Sequence, residues 1–171
     1  MAHTRLVNKL DWRSQFKTLL PLYGHRNWIV VADSAYPAQS KPGIETVASG
    51  ASQLEVVRGV VGAIGASRHV RANVYLDQEL EYVNEADAPG VTKYRQQLAK
   101  LLSAASPIGL PHEQIIAKLD QVSQVFRVLI IKTELAIPYT SVFFELDCSY
   151  WAADAETKLR KAMASAAKSK R

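Results

Sequence analysis

"GHRNWIVVAD", residues 24–33, sets five apolar residues between a Gly-His turn and an aspartate. Trp28, Ile29, Val30, Val31 and Ala32 have the length and branching of a buried strand of a parallel sheet. Gly24 and His25 then sit just before the strand, and Asp33 marks its exit. Ligands of α/β sheets collect at the carboxyl ends of strands. That gives Asp33 a place in a site, while position alone gives His25 none.

Outward from this strand the chain alternates helical and extended patterns. Residues 11–22 read as a short amphipathic helix with Trp12, Phe16, Leu19 and Leu20 on one face. "SAYPAQSKPG" (34–43) is a turn-rich loop and "IETVAS" (44–49) a short strand. In "ASQLEVVRGVVGAIG" (51–65), Leu54, Val57, Val61 and Ile64 recur at helical spacing behind Ser52, a candidate cap. "HVRANVYLDQEL" (69–80) alternates as a strand, and a polar loop leads to a helix over "GVTKYRQQLAKLLSAA" (90–105). "PHEQIIAKLDQVS" (111–123) is a second helix, with Pro111 suited to its first turn. "VFRVLIIKT" (125–133) and "SVFFELD" (141–147) are strands joined by "ELAIPYT", and a final helix starts at Asp154. The pattern predicts a three-layer α/β domain over residues 1–153: a central, largely parallel or mixed sheet flanked by helices. Residues 154–171 form a basic helix or tail.

Composition narrows the function. The 171-residue chain is 48% hydrophobic, enough for one well-formed core. Residues 1–17 are charged throughout, and no stretch reaches membrane-spanning length, so a cytoplasmic protein with no membrane partner is expected. The lone Cys148 excludes a disulfide framework and a cysteine-rich zinc site. Much of the net charge of +5 comes from Lys158, Arg160, Lys161, Lys168, Lys170 and Arg171, which suit a solvated helix end. No zinc-finger spacing or RNA-binding aromatic motif accompanies them, so no nucleic-acid partner is expected. Dinucleotide, Walker and serine-hydrolase motifs are absent as well.

Of the four histidines, His3 lies in the terminal segment and His69 reads as a surface or capping residue ahead of a strand. His25 precedes the first strand. His112 opens a helix, where unpaired amides favour a neutral imidazole able to exchange protons. Glu134 and Tyr139 flank a tight loop, and Tyr139, Thr140 and Ser141 offer hydroxyls that could orient a polyol. The plain alternative is a short connection in which Tyr139 packs and Ser141 begins a strand. Tyr36, in the loop after Asp33, is the aromatic residue best placed to stack on a sugar. Trp12, Trp28, Trp151 and Tyr23 read first as packing residues.

The residues just quoted resemble those of the RbsD/FucU family of ribose pyranases and fucose mutarotases. "GHRNWIVVADSAYP" is similar to its GHxDxxxxxDAxxP signature. "PHEQ" falls where ribose pyranases often carry a helical histidine, and "KTELAIPYTS" is similar to its TGExxxYxN segment. The resemblance runs from about residue 14 to residue 147. It implies a mutarotase or pyranase that interconverts monosaccharide anomers or ring forms by general acid/base proton transfer, without cofactor or metal. It also implies ring assemblies, often decamers, with sites where subunits meet. By this resemblance His25, Asp33, His112 and Tyr139 are catalytic, and Glu134 and Ser141 contact substrate; Tyr36 is a further expected substrate contact from its place in the loop after Asp33. Arg26 and Asn27 stand where a small and often an acidic residue occur in the family. Thr133 replaces a glycine and Ser141 an asparagine. A non-catalytic sugar-binding or regulatory protein of the same fold is one alternative, another sugar isomerase a second.

Overall fold

The computed structural model describes residues 11–169, with side chains to 167. His3 and the last two residues of the basic tail lie outside that range. Among the described residues six strands form one sheet: β1 (Trp28–Ala32), β2 (Ile44–Ala48), β3 (Val70–Asp77), β4 (Ile108–Leu110), β5 (Val128–Lys132) and β6 (Val142–Cys148). Their order is β2-β5-β1-β6-β3-β4. β1 pairs in parallel with β5 and antiparallel with β6, and β3 is antiparallel to β6 and parallel to β4. β6 alone runs against the others. The sheet is the mixed, largely parallel one expected.

Alternation along the strands sorts side chains onto two faces. Ile29 and Val31 join Leu129, Ile131, Val142 and Phe144 beneath α1 (Trp12–Leu19), α2 (Gln53–Gly65) and α3 (Val91–Leu101). Trp28, Val30 and Ala32 join Val128, Ile130 and Phe143 beneath α4 (His112–Val122), which contributes Ile115 and Leu119. Trp28 also stacks on Tyr75 with ring centroids 5.5 Å apart. Asp11 caps α1 by accepting from the N–H groups of Arg13 and Ser14. Ser52 occupies the N-cap of α2 but makes no side-chain capping bond. His69 ties the chain before β3 to the end of α1's extension: Nε2 lies 3.0 Å from the Tyr23 carbonyl and Nδ1 2.7 Å from Ser67 Oγ.

One expectation needs correction, and one strand carries no sequence signal. β3 stops at Asp77, and Gln78–Tyr82 coil into a 3₁₀ turn, so the strand does not run to residue 80. β4 is a three-residue edge strand too short to show a period. The last helix, α5 (Ala153–Ser169), carries mostly exposed side chains and i,i+4 pairs such as Arg160–Glu156. Among the described residues no helix is long and apolar enough to cross a membrane.

Gly43 leads into β2 where the loop crosses the end of α4. A Cβ there would run into the Ser123 backbone carbonyl oxygen, which cannot swing aside as a side chain would. Gly43→Ala is expected to destabilise the fold by about 1–3 kcal/mol, read as a lower urea midpoint at unchanged m-value.

Candidate active site

The carboxyl edge of the sheet gathers most of the predicted residues. Asp33 leaves β1 half-buried and closes a turn, accepting the Ala35 N–H at 2.9 Å. Ser141, at the start of β6, is buried with its Oγ 3.4 Å from Asp33 Oδ2. His112 opens α4 directly after β4. Its ring Nδ1 lies 3.0 Å from Oδ1 of Asp77, the last residue of β3. Both carboxylate oxygens of Glu79 accept the His112 backbone N–H. The helix terminus therefore meets two acids, whereas the sequence suggests only open amides. Tyr139 stands edge-on to the His112 ring, centroids 5.6 Å apart.

The 133–141 loop that carries Tyr139 is pinned from below. Gln53, the first residue of α2, is buried and donates to the carbonyls of Val31 and Thr140. Its amide oxygen accepts from the Thr133 hydroxyl. Tyr94 of α3 donates a second bond to the Thr140 carbonyl at 2.8 Å. Thr133 has no positive φ, and its hydroxyl joins the network. Tyr139 sits in a turn at φ +57°, as Arg26 and Ser106 also take positive φ, a region that strains a non-glycine residue by about 1–3 kcal/mol.

Asp77 is the electrostatic centre. Its side chain is 1% exposed, and Oδ2 has no hydrogen-bond partner among the described residues. Burial pushes its carboxyl up to about 6, against the opposing pull of the His112 hydrogen bond; Glu79 and Asp33 push the same way as burial. Burial likewise pushes the Tyr36 phenol up to about 12, with Asp77, Asp120 and Asp33 adding to it. Tyr36 is 5% exposed, its ring packed in the α4-side core instead of lying open as a stacking surface. Glu134 points outward, and its backbone N–H bonds the Ala51 carbonyl.

His25 stands apart. It lies before β1, across roughly 17 Å of strand from Asp33, so the two do not meet in one chain. Its Nδ1 is 3.0 Å from Asp147 Oδ1, and Arg26 Nε donates to its Nε2 at 3.2 Å. Asp77, Glu79 and Gln53 are the residues the sequence reading missed. Asp77 ends β3 and Glu79 lies in the turn just beyond it, a boundary that the sequence pattern does not mark. Gln53 carried no signal, since a polar residue opening a helix is ordinarily solvated.

No family model matches the chain, and no curated protein matches its sequence. Solved structures resemble it in fold. RbsD of Bacillus subtilis, complexed with D-ribose, aligns with TM-score 0.55 and 18% identity over 78% of this chain and 92% of that one. The fucose mutarotase of Streptococcus pneumoniae, in complex with L-fucose, aligns with TM-score 0.50 and 18% identity over 78% and 91%. FucU of Bifidobacterium longum gives 0.50 and 14% over 78% and 94%. At these identities the likeness is one of fold: over most of its length the chain has the architecture of the RbsD/FucU structures.

Asp77 sets a pH signature. Because folding raises its pKa from 3.8 to about 6, it contributes stability in the neutral form below about pH 4, lost as pH rises through 6. Asp77→Asn removes that titration. Its stability is expected to gain on wild type by up to about 3 kcal/mol between pH 4 and pH 8, measured by urea denaturation.

Proposed function

We propose that the protein is a cofactor-independent monosaccharide mutarotase or pyranase working by general acid/base proton transfer. The observation that carries the reading is the Asp77–His112 pair at the carboxyl edge, with Tyr139 set edge-on to the imidazole. Anomer exchange needs a proton taken from the anomeric hydroxyl and one given to the ring oxygen, after which the opened chain rotates and closes in reverse. A histidine held by a carboxyl that titrates near neutrality suits both transfers. In this reading Asp33 and Ser141 bind sugar hydroxyls, Tyr139 hydrogen-bonds the ring oxygen, Glu134 holds the loop through its backbone, and Tyr36 backs the site from the core.

His25 completes the site from a neighbouring subunit. β1 holds His25 and Asp33 at opposite ends of an inextensible strand, so a centre using both needs two copies of the chain. A closed ring satisfies this, each subunit's amino edge meeting the next one's carboxyl edge. The likeness in fold to proteins solved in complex with D-ribose and L-fucose supports a monosaccharide as ligand. One observation favours a second reading, a sugar-binding protein without catalysis: Arg26 donates to His25 Nε2, so both ring nitrogens are engaged.

NMR exchange spectroscopy on ribose, fucose, rhamnose, galactose and glucose tests the proposal. One sugar is expected to exchange anomers faster with wild type than in buffer. His25→Ala and His112→Ala should each lose about 10²-fold or more of that acceleration. Co-refolding the two variants in equal amounts should restore about a quarter of the sites, since only mixed neighbours bring both histidines together. Binding without faster exchange would establish the second reading.

A further inference from the structure

We infer that Asp147, and not the neighbouring Asn27, is the positioning residue that sets the tautomer of His25. This rests on the role proposed for His25 above. Asn27 lies two residues after the histidine, but both ends of its amide close the turn. Its Oδ1 accepts the Gly24 N–H at 2.7 Å and its Nδ2 donates to the Arg127 carbonyl at 3.2 Å. The amide is turned to these two backbone partners, and the imidazole hydrogen-bonds to Asp147 and Arg26. The carboxylate at His25 Nδ1 comes instead from Asp147, 122 residues along the chain on β6.

Asp147 is itself oriented. In the β3–β6 register it lies directly opposite Arg71, whose guanidinium donates twice to Oδ2, from Nε at 3.1 Å and from a terminal nitrogen at 2.7 Å. Oδ1 accepts the Cys148 N–H at 2.8 Å and faces His25 Nδ1 at 3.0 Å. The Arg71 hydrogen bonds are the largest influence holding this carboxyl below the usual range, so it is ionised wherever an imidazole could act as a base. An ionised carboxylate only accepts, so His25 Nδ1 carries the hydrogen and Nε2 the lone pair. Arg26 Nε donating to Nε2 agrees with the same tautomer. Nε2 is then the atom that meets a sugar proton once the Arg26 guanidinium is displaced. An aspartate that fixes a catalytic imidazole through Nδ1–H performs the same service in the serine-protease triad.

Two-dimensional ¹H–¹⁵N NMR of the histidine ring nitrogens in the full chain reads the tautomer without any sugar. Wild type is expected in the Nδ1–H form; an Nε2–H form would overturn the inference with no variant needed. In Asp147→Asn, Arg71 retains the amide oxygen, the NH₂ group turns to His25 Nδ1, and the ring is expected to invert to Nε2–H. An Asp147→Asn protein that folds with its His25 tautomer unchanged overturns the inference. The variant's exchange rate on the reactive sugar is expected to fall by about 10²–10⁴-fold; inversion with an unchanged rate also overturns the positioning role. If wild type accelerates no sugar, the mutarotase reading fails, while the tautomer measurement still decides what Asp147 does to His25.

Discussion

The burial of β1 between β5 and β6 is the constraint on which the rest depends. All five residues are at most 1% exposed, with helices over both faces and a hydrogen-bonded strand on each edge. Such a strand can neither slip nor shorten: a one-residue shift would exchange the α4-facing set Trp28, Val30 and Ala32 with the opposite set. It therefore acts as a fixed spacer. His25 stays at the amino edge and Asp33 at the carboxyl edge, and no side-chain motion unites them. The same feature that stabilises the monomer's core makes two subunits necessary for a centre using both residues.

The two edges carry histidine–aspartate pairs of similar geometry and opposite electrostatics. Asp77 is enclosed, and desolvation outweighs the pull of His112, so its proton comes off near neutrality. Asp147 is held by Arg71 at the surface and stays ionised well into acid. A carboxyl that titrates can share in proton transfer, whereas one locked in its anionic form can only orient its partner. This division matches an acid/base group on one edge and a held imidazole on the other.

Rigidity at the carboxyl edge comes from behind the site. Gln53 and Tyr94 hold the Thr140 carbonyl, and Gln53 also grips Val31 and Thr133, so the ends of β1 and β5 and the start of β6 are joined by one buried polar network. Such a network fixes the loop tightly enough to keep Tyr139 in its left-handed conformation against His112.

The sequence by itself determined the layered α/β class, the β1 strand and the order of helices, because burial on both faces leaves short unbroken apolar, branched runs such as WIVVA and VLIIK, and burial on one face leaves helical spacing. It also singled out Asp33, His112, Tyr139 and Ser141, whose positions beside strand ends or at a helix start are local facts. Asp77 stayed hidden because it falls in the polar phase of the alternation of Val70, Ala72, Val74 and Leu76, where a carboxylate reads as solvated, although the fold buries it. β4 is too short to carry a period at all. The partners of each histidine were not legible: Asp77 lies 35 residues from His112 and Asp147 lies 122 from His25. Only the tertiary structure decided those pairings, and with them the charge on each carboxyl. Register between distant strands, and the water that folding removes, are properties of the assembled sheet and of no segment within it.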